Sequence, residues 1–109
     1  MAVTSSVCVP QAWGHAVLMN AMPAANQAVA PGNIPVVLRF NSRIDCRRSM
    51  LFLIGPDGFE RRLEIEEQLS SETLTANTGA LTGGSYVLRW QILAEDGHIT
   101  QGQVPFRVK

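Results

Sequence analysis

Two histidines make up the whole imidazole inventory of this chain, His15 and His98, and they stand 98 − 15 = 83 residues apart. His98 closes the triplet Asp96-Gly97-His98. Residues i and i+2 of an extended segment project to the same side, so the triplet offers a carboxylate and an imidazole together. The glycine between them lets the backbone take turn geometry that a residue with Cβ would resist. If His15 became the first residue, its α-amino nitrogen and its imidazole Nδ1 would chelate one metal ion. His98 would then add a nitrogen and Asp96 an oxygen. A nitrogen-rich N/O set in tetragonal geometry suits Cu(II), which also heads the divalent affinity order. The plain alternative is an ordinary Asp-Gly turn and two surface histidines.

The amine is free only if the chain is cut ahead of His15. Residues 1–14, MAVTSSVCVPQAWG, carry no charge and mix small apolar with hydroxyl residues. Ala12-Trp13-Gly14 has the small-x-small spacing that precedes a signal-peptidase cut. A full signal needs a basic n-region and a longer apolar stretch, so residues 1–14 read as the tail of a leader. The competing reading is a genuine N-terminal extension with Trp13 lying on the sheet surface. Cys8 and Cys46 are too few for a disulfide scaffold or a Cys-rich zinc module. A bridge between them requires their Cα atoms within about 7 Å, which spacing alone does not establish.

Other chemistries are poorly provided for. Nine Lys plus Arg balance nine Asp plus Glu, leaving no global field to attract nucleic acid or an acidic membrane. No apolar run approaches the ~20 residues of a spanning helix. No serine sits in a G-x-S-x-G elbow. Thr82-Gly83-Gly84-Ser85 lacks the lysine of a phosphate-binding loop. Arg43, Arg47, Arg48, Arg61 and Arg62 are interleaved with Glu60, Glu64, Glu66 and Glu67, as on a solvated mixed face.

The elements that must position His15, Asp96 and His98 are strands. With 109 residues, 46% of them hydrophobic and 17% charged, the chain is one ordinary folded domain. Its pattern is short alternating runs broken by turn residues. Strands are expected over 15–22, 36–41, 49–54, 59–65, 73–77, 85–93 and 99–108, with a short piece at 27–30. Gly55-Pro56-Asp57-Gly58 should close a hairpin, 78–84 should be a Gly-rich loop, and Gly102 and Pro105 are the places where an interruption of the last strand is expected. Leu38, Phe40, Leu51, Leu53, Tyr86, Leu88, Trp90 and Phe106 should be buried. Seven short strands at this spacing predict an all-β, immunoglobulin-like Greek-key sandwich or small barrel. In such a fold the first strand often lies near the last hairpin, which would bring His15 toward Asp96 and His98.

His15-Ala16-Val17-Leu18, Pro23-Ala24-Ala25-Asn26, Leu38-Arg39-Phe40, Gly83-Gly84-Ser85-Tyr86 followed by Trp90, Asp96-Gly97-His98, Gly102 and Phe106-Arg107-Val108-Lys109 occur in this order. Together they resemble the CopC copper-resistance family, over residues 15–109. The resemblance implies a seven-stranded Greek-key β-sandwich, export to the periplasm and a Cu(II) site without enzymatic turnover. By position, His15 would supply amine and imidazole, with Asp96 and His98 completing the site. It further implies a CopD-like inner-membrane permease as partner.

The chain departs from the family in three places. Ser42 stands where some members carry a Glu near the copper, and Asp45, three residues further on, is the candidate carboxylate to replace it. The Met-rich segment of some members is absent, Met19, Met22 and Met50 being scattered and read as apolar filler. Ile99 replaces the proline common after the histidine. Two other functions compete with copper buffering or handover. One is a metal-free immunoglobulin-like interaction module. The other is a copper mono-oxygenase built on a terminal histidine, disfavoured because such enzymes are usually larger with a flat substrate face and this chain has only seven aromatic residues.

Overall fold

A computed structural model describes residues 16–67 and 70–109. Among these residues the structure is all β, with strands β1 (Leu18–Met22), β2 (Ala28–Val29), β3 (Gly32–Phe40), β4 (Ile44–Ile54), β5 (Glu60–Leu63), β6 (Thr73–Leu81), β7 (Gly84–Ala94) and β8 (Ile99–Val108). Seven of them have four or more residues, and β2 is a two-residue addition. They form two sheets, ordered β1-β3-β6 and β2-β8-β7-β4-β5. The chain therefore crosses to the other sheet for the short β2 and back for β3, and changes sheet again between β3 and β4, between β5 and β6, and between β6 and β7. This is the Greek-key sandwich expected from the strand pattern.

The alternation of each long strand explains which face is inward. Val36, Leu38 and Phe40 of β3 are buried while Arg39 is exposed, and Tyr86, Leu88, Trp90 and Ile92 of β7 are buried together. All eight residues expected in the core are there. Phe40 meets Trp90 edge-on across the two sheets at 5.1 Å between ring centres. Gly102 lies opposite Trp90 in the β7–β8 ladder, and the indole covers it. A Cβ there would stand 2.5 Å from Trp90 Cζ2. The glycine is thus needed for close approach and does not interrupt β8, which continues through Pro105.

The hairpin at 55–58 forms as expected. Gly58 donates its N–H to the Gly55 carbonyl at 2.9 Å and adopts φ +83°. Two expectations fail nearby. β4 begins at Ile44, ahead of the expected start at Ser49, because residues 46–49 bulge out of the ladder between the pairs Asp45↔Leu93 and Met50↔Gln91. Asp45 Oδ1 accepts the N–H groups of Arg47 and Arg48 at 3.1 and 3.3 Å. Ser49 Oγ donates to the Asp45 carbonyl at 2.6 Å and accepts the Leu93 N–H at 3.2 Å. Polar side chains thus satisfy main-chain groups that the bulge frees.

The expected loop at 78–84 is mostly strand. β3 starts earlier than foreseen, at Gly32, and β6 runs to Leu81 beside it, with an irregularity between Asn33 and Pro35. Thr78, 1% exposed, accepts the Ile34 N–H at 3.0 Å, and Gly79 donates to Asn33 Oδ1 at 2.9 Å from φ +78°. Arg61 of β5 also donates to the Thr78 carbonyl, tying the edges of the two sheets.

Candidate metal centre

The turn between β7 and β8 carries Asp96 and His98. Ala94 donates its N–H to the His98 carbonyl at 2.8 Å, and Gly97 donates back to the Ala94 carbonyl at 2.9 Å. Gly97 sits at φ +93° with open space where a Cβ would be, so its conformation and not crowding calls for glycine there. Asp96 Oδ1 accepts the His98 N–H at 3.1 Å, and Asp96 Oδ2 lies 2.8 Å from His98 Nδ1. A neutral imidazole carries one N–H. When that proton is on Nδ1 and shared with Asp96, the Nε2 lone pair is the one offered to a metal. The side chains are 58% and 35% exposed, so an ion in solvent can reach them.

The same end of the sandwich holds the segment that follows His15. Ala16 is 4% exposed and belongs to the core. Thr100 Oγ1, two residues beyond His98, donates to the Ala16 carbonyl at 3.4 Å. Val17 donates its N–H to Asn41 Oδ1 at 2.8 Å and accepts the Asn41 N–H at 3.0 Å. Glu95 donates its N–H to the Arg43 carbonyl at 2.9 Å, and their exposed side chains pair at 3.5 Å. The described residues therefore pair Asp96 with His98 on one turn and tie Ala16, the residue next to His15, to Thr100, two residues beyond His98. His15 itself lies outside the described residues, as do residues 1–14.

Among the described residues no three His, Cys, Asp or Glu side chains cluster as a metal site. Asp45 does not join Asp96 and His98, since its carboxylate is held in the β4 bulge, with Oδ2 3.8 Å from Arg48 Nε. Ser42 Oγ donates to the Arg43 carbonyl at 3.3 Å. Met19 and Met22 are 54% and 56% exposed on β1, and so are not the apolar filler they were read as. Trp90 is a core residue, its buried Nε1 lacking a hydrogen-bond partner among the described residues.

Two clefts among the described residues, about 710 and 440 Å³, lie along the β4 bulge and the segment after β5, and neither is lined by Asp96 or His98. Cys46 borders both. Burial, and then the charge of Asp45, push its thiol above the ordinary value. The Cys8–Cys46 pairing falls outside the described residues.

Sequence reasoning paired Asp96 with His98, as the structure does, but did not foresee the bonds of Asn41 and Thr100 to the segment after His15. The only signal for Asn41 was a side-chain amide just past a strand end, where it can stand in for a main-chain acceptor; Thr100 gave none.

Comparison with known proteins bears on the same region. Protein YobA of Escherichia coli K12 is 28% identical over 110 residues, covering 98% of this chain and 89% of that protein. The crystal structure of CopC from Methylosinus trichosporium OB3b superposes with TM-score 0.78 at 30% identity, covering 87% of this chain and 94% of that one. PcoC from Escherichia coli, described as a methionine rich copper resistance protein, superposes with TM-score 0.71 at 22% identity, covering 87% of this chain and 99% of its own. The family model for the CopC domain matches residues 18–109, which include Asn41, Asp96, His98 and Thr100 and nearly all of the sandwich, and the chain belongs to that family.

Proposed function

We propose that this protein binds Cu(II) in the periplasm and buffers it or hands it on, with His15, Asp96 and His98 as the metal centre and no chemical turnover of its own. The observation that carries the reading is the Asp96–His98 pair, hydrogen-bonded at 2.8 Å on an exposed turn at the end of the sandwich where Ala16 is held. Membership of the CopC domain family supports copper as the cargo.

The donors fit that ion. Cleavage after Gly14 frees the His15 amine, which with the His15 imidazole forms a chelate, and His98 adds a ring nitrogen. Asp96 brings the carboxylate. These are nitrogen and oxygen donors, matched to Cu(II) and poorly matched to Cu(I), which prefers thiolate and thioether. Both Asp96 and His98 face solvent, so the ion exchanges without opening the core. A membrane permease of the CopD kind is the natural recipient.

Cu(II) titration of the full chain and of the chain cleaved after Gly14 tests the reading. The cleaved form retains every core residue among the described residues. It should bind more tightly than the full chain, whose His15 nitrogen is locked in a peptide bond, and His98→Ala should weaken both. Equal affinity of the two forms would remove the amine from the centre. Absence of tight binding in the cleaved form would overturn the copper assignment. N-terminal sequencing of protein from the native cell should begin at His15.

A further inference from the structure

We infer that Asn41 is a positioning residue of this centre: it clasps the main chain just after His15 and so presets the terminal ligand without touching the metal. The inference rests on the terminal-histidine reading above. Chain termini fray unless they are tied down, and a ligand on a fraying residue must be ordered each time the metal binds.

Here the tie is explicit. Asn41 holds Val17 from both directions, its Oδ1 accepting the Val17 N–H at 2.8 Å and its own N–H donating to the Val17 carbonyl at 3.0 Å. The register of β1 with β3 shifts between Leu18 and Asn20, and the Asn41 amide supplies an acceptor just beyond the last β1–β3 pair, Leu18↔Phe40. On the other side, Thr100 Oγ1 holds the Ala16 carbonyl at 3.4 Å, and Thr100 is two residues from His98 in sequence. Ala16 is thereby fixed between the end of β3 and the start of β8. With Ala16 and Val17 both tied, the segment that leads into the terminal ligand has less freedom to lose when an ion is bound.

Val17 is 47% exposed, and water can replace the Asn41 oxygen when it is removed. Asn41→Ala should therefore leave the fold intact while releasing the arm. A net hydrogen bond of ordinary strength corresponds to about a threefold to tenfold change in an equilibrium constant.

In the chain cleaved after Gly14, Asn41→Ala should weaken Cu(II) binding by that factor and speed amide exchange at Val17 in the metal-free protein. Thr100→Val, removing the second tie, should weaken binding in the same direction. Asn33→Ala, which deletes comparable side-chain bonds in the β3–β6 irregularity, should leave copper affinity unchanged. The effect of Asn41→Ala should disappear in a His15→Ala background, as a double-mutant cycle reads directly. Unchanged affinity and unchanged Val17 exchange in Asn41→Ala would overturn the inference, as would a loss that persists without His15. Failure of the unmutated cleaved chain to bind Cu(II) tightly would overturn the copper reading and this inference with it.

Discussion

Gly102→Ala places one methyl group where the indole of Trp90 already lies. The new Cβ would stand 2.5 Å from Cζ2, 2.9 Å from Cε2 and 3.3 Å from Cη2. Ordinary carbon contacts are about 3.5 Å or longer, so the ring or the strand must retreat by about 1 Å. The ring has nowhere to go: Trp90 is 7% exposed and Phe40, fully buried, packs edge-on against it. Overpacking of this kind costs about 1–3 kcal/mol, which for a domain of this length lowers Tm by roughly 4–13 °C. Thermal unfolding of the chain cleaved after Gly14 measures it cleanly, because Trp90 is then the sole tryptophan and its near-ultraviolet circular dichroism should change too. Trp90→Phe removes the clashing atoms, so the double variant should lose less than the sum of the singles. Gly97→Ala is the contrast: it meets no atom within 4 Å but carries φ +93°, and should destabilise without altering the Trp90 signal. A Gly102→Ala protein melting within about 1 °C of the parent, with its tryptophan signal unchanged, would refute the packing argument.

Two further outcomes are expected. Imidazole and amine ligands bind metal only when unprotonated, so Cu(II) affinity, followed by titration from about pH 8 to about pH 5, should fall across the ordinary histidine range; a flat profile would argue against histidine ligation. Burial and the neighbouring Asp45 raise the Cys46 thiol, so in a Cys8→Ser background alkylation by iodoacetamide should be slow near neutrality and accelerate only at higher pH. Asp45→Asn should shift that acceleration downward. The linked stability runs the same way: a thiol raised by folding contributes nothing unfavourable at low pH and erodes stability as pH climbs toward its folded value.

Where the sequence was legible, it was through regular side-chain alternation. β7 is an unbroken period of two from Tyr86 to Ile92, and its buried face could be named residue by residue. The β4 bulge and the far half of β6 were not legible for the opposite reason. There the ladder is held by polar side chains, those of Asp45, Ser49, Thr78 and Asn33, whose presence in a sequence reads as turn. Thr78-Gly79 looks like a loop until Ile34 and Asn33 are opposite it, and that pairing is set by a strand more than 40 residues away. Asp96 and His98 were legible because their chemistry is local to three residues. Asn41 and Thr100 were not, since neither has a local role and each acts on a segment that only the closed sandwich brings within reach.

The bond from Thr100 to Ala16 spans 84 residues of sequence, and this has a bearing on when copper can be captured. Contacts of such long separation form only after the intervening chain has been ordered. The segment after His15 is made long before the Asp96–His98 turn, so a partly made chain has one side of the proposed centre without the other. The proposed chelate would then be a property of the finished fold. Ions that bind only that state add to its stability, while chains cut short before β8 have no means of holding the ion at both ends. Copper loading would in this way serve as a check on completed folding.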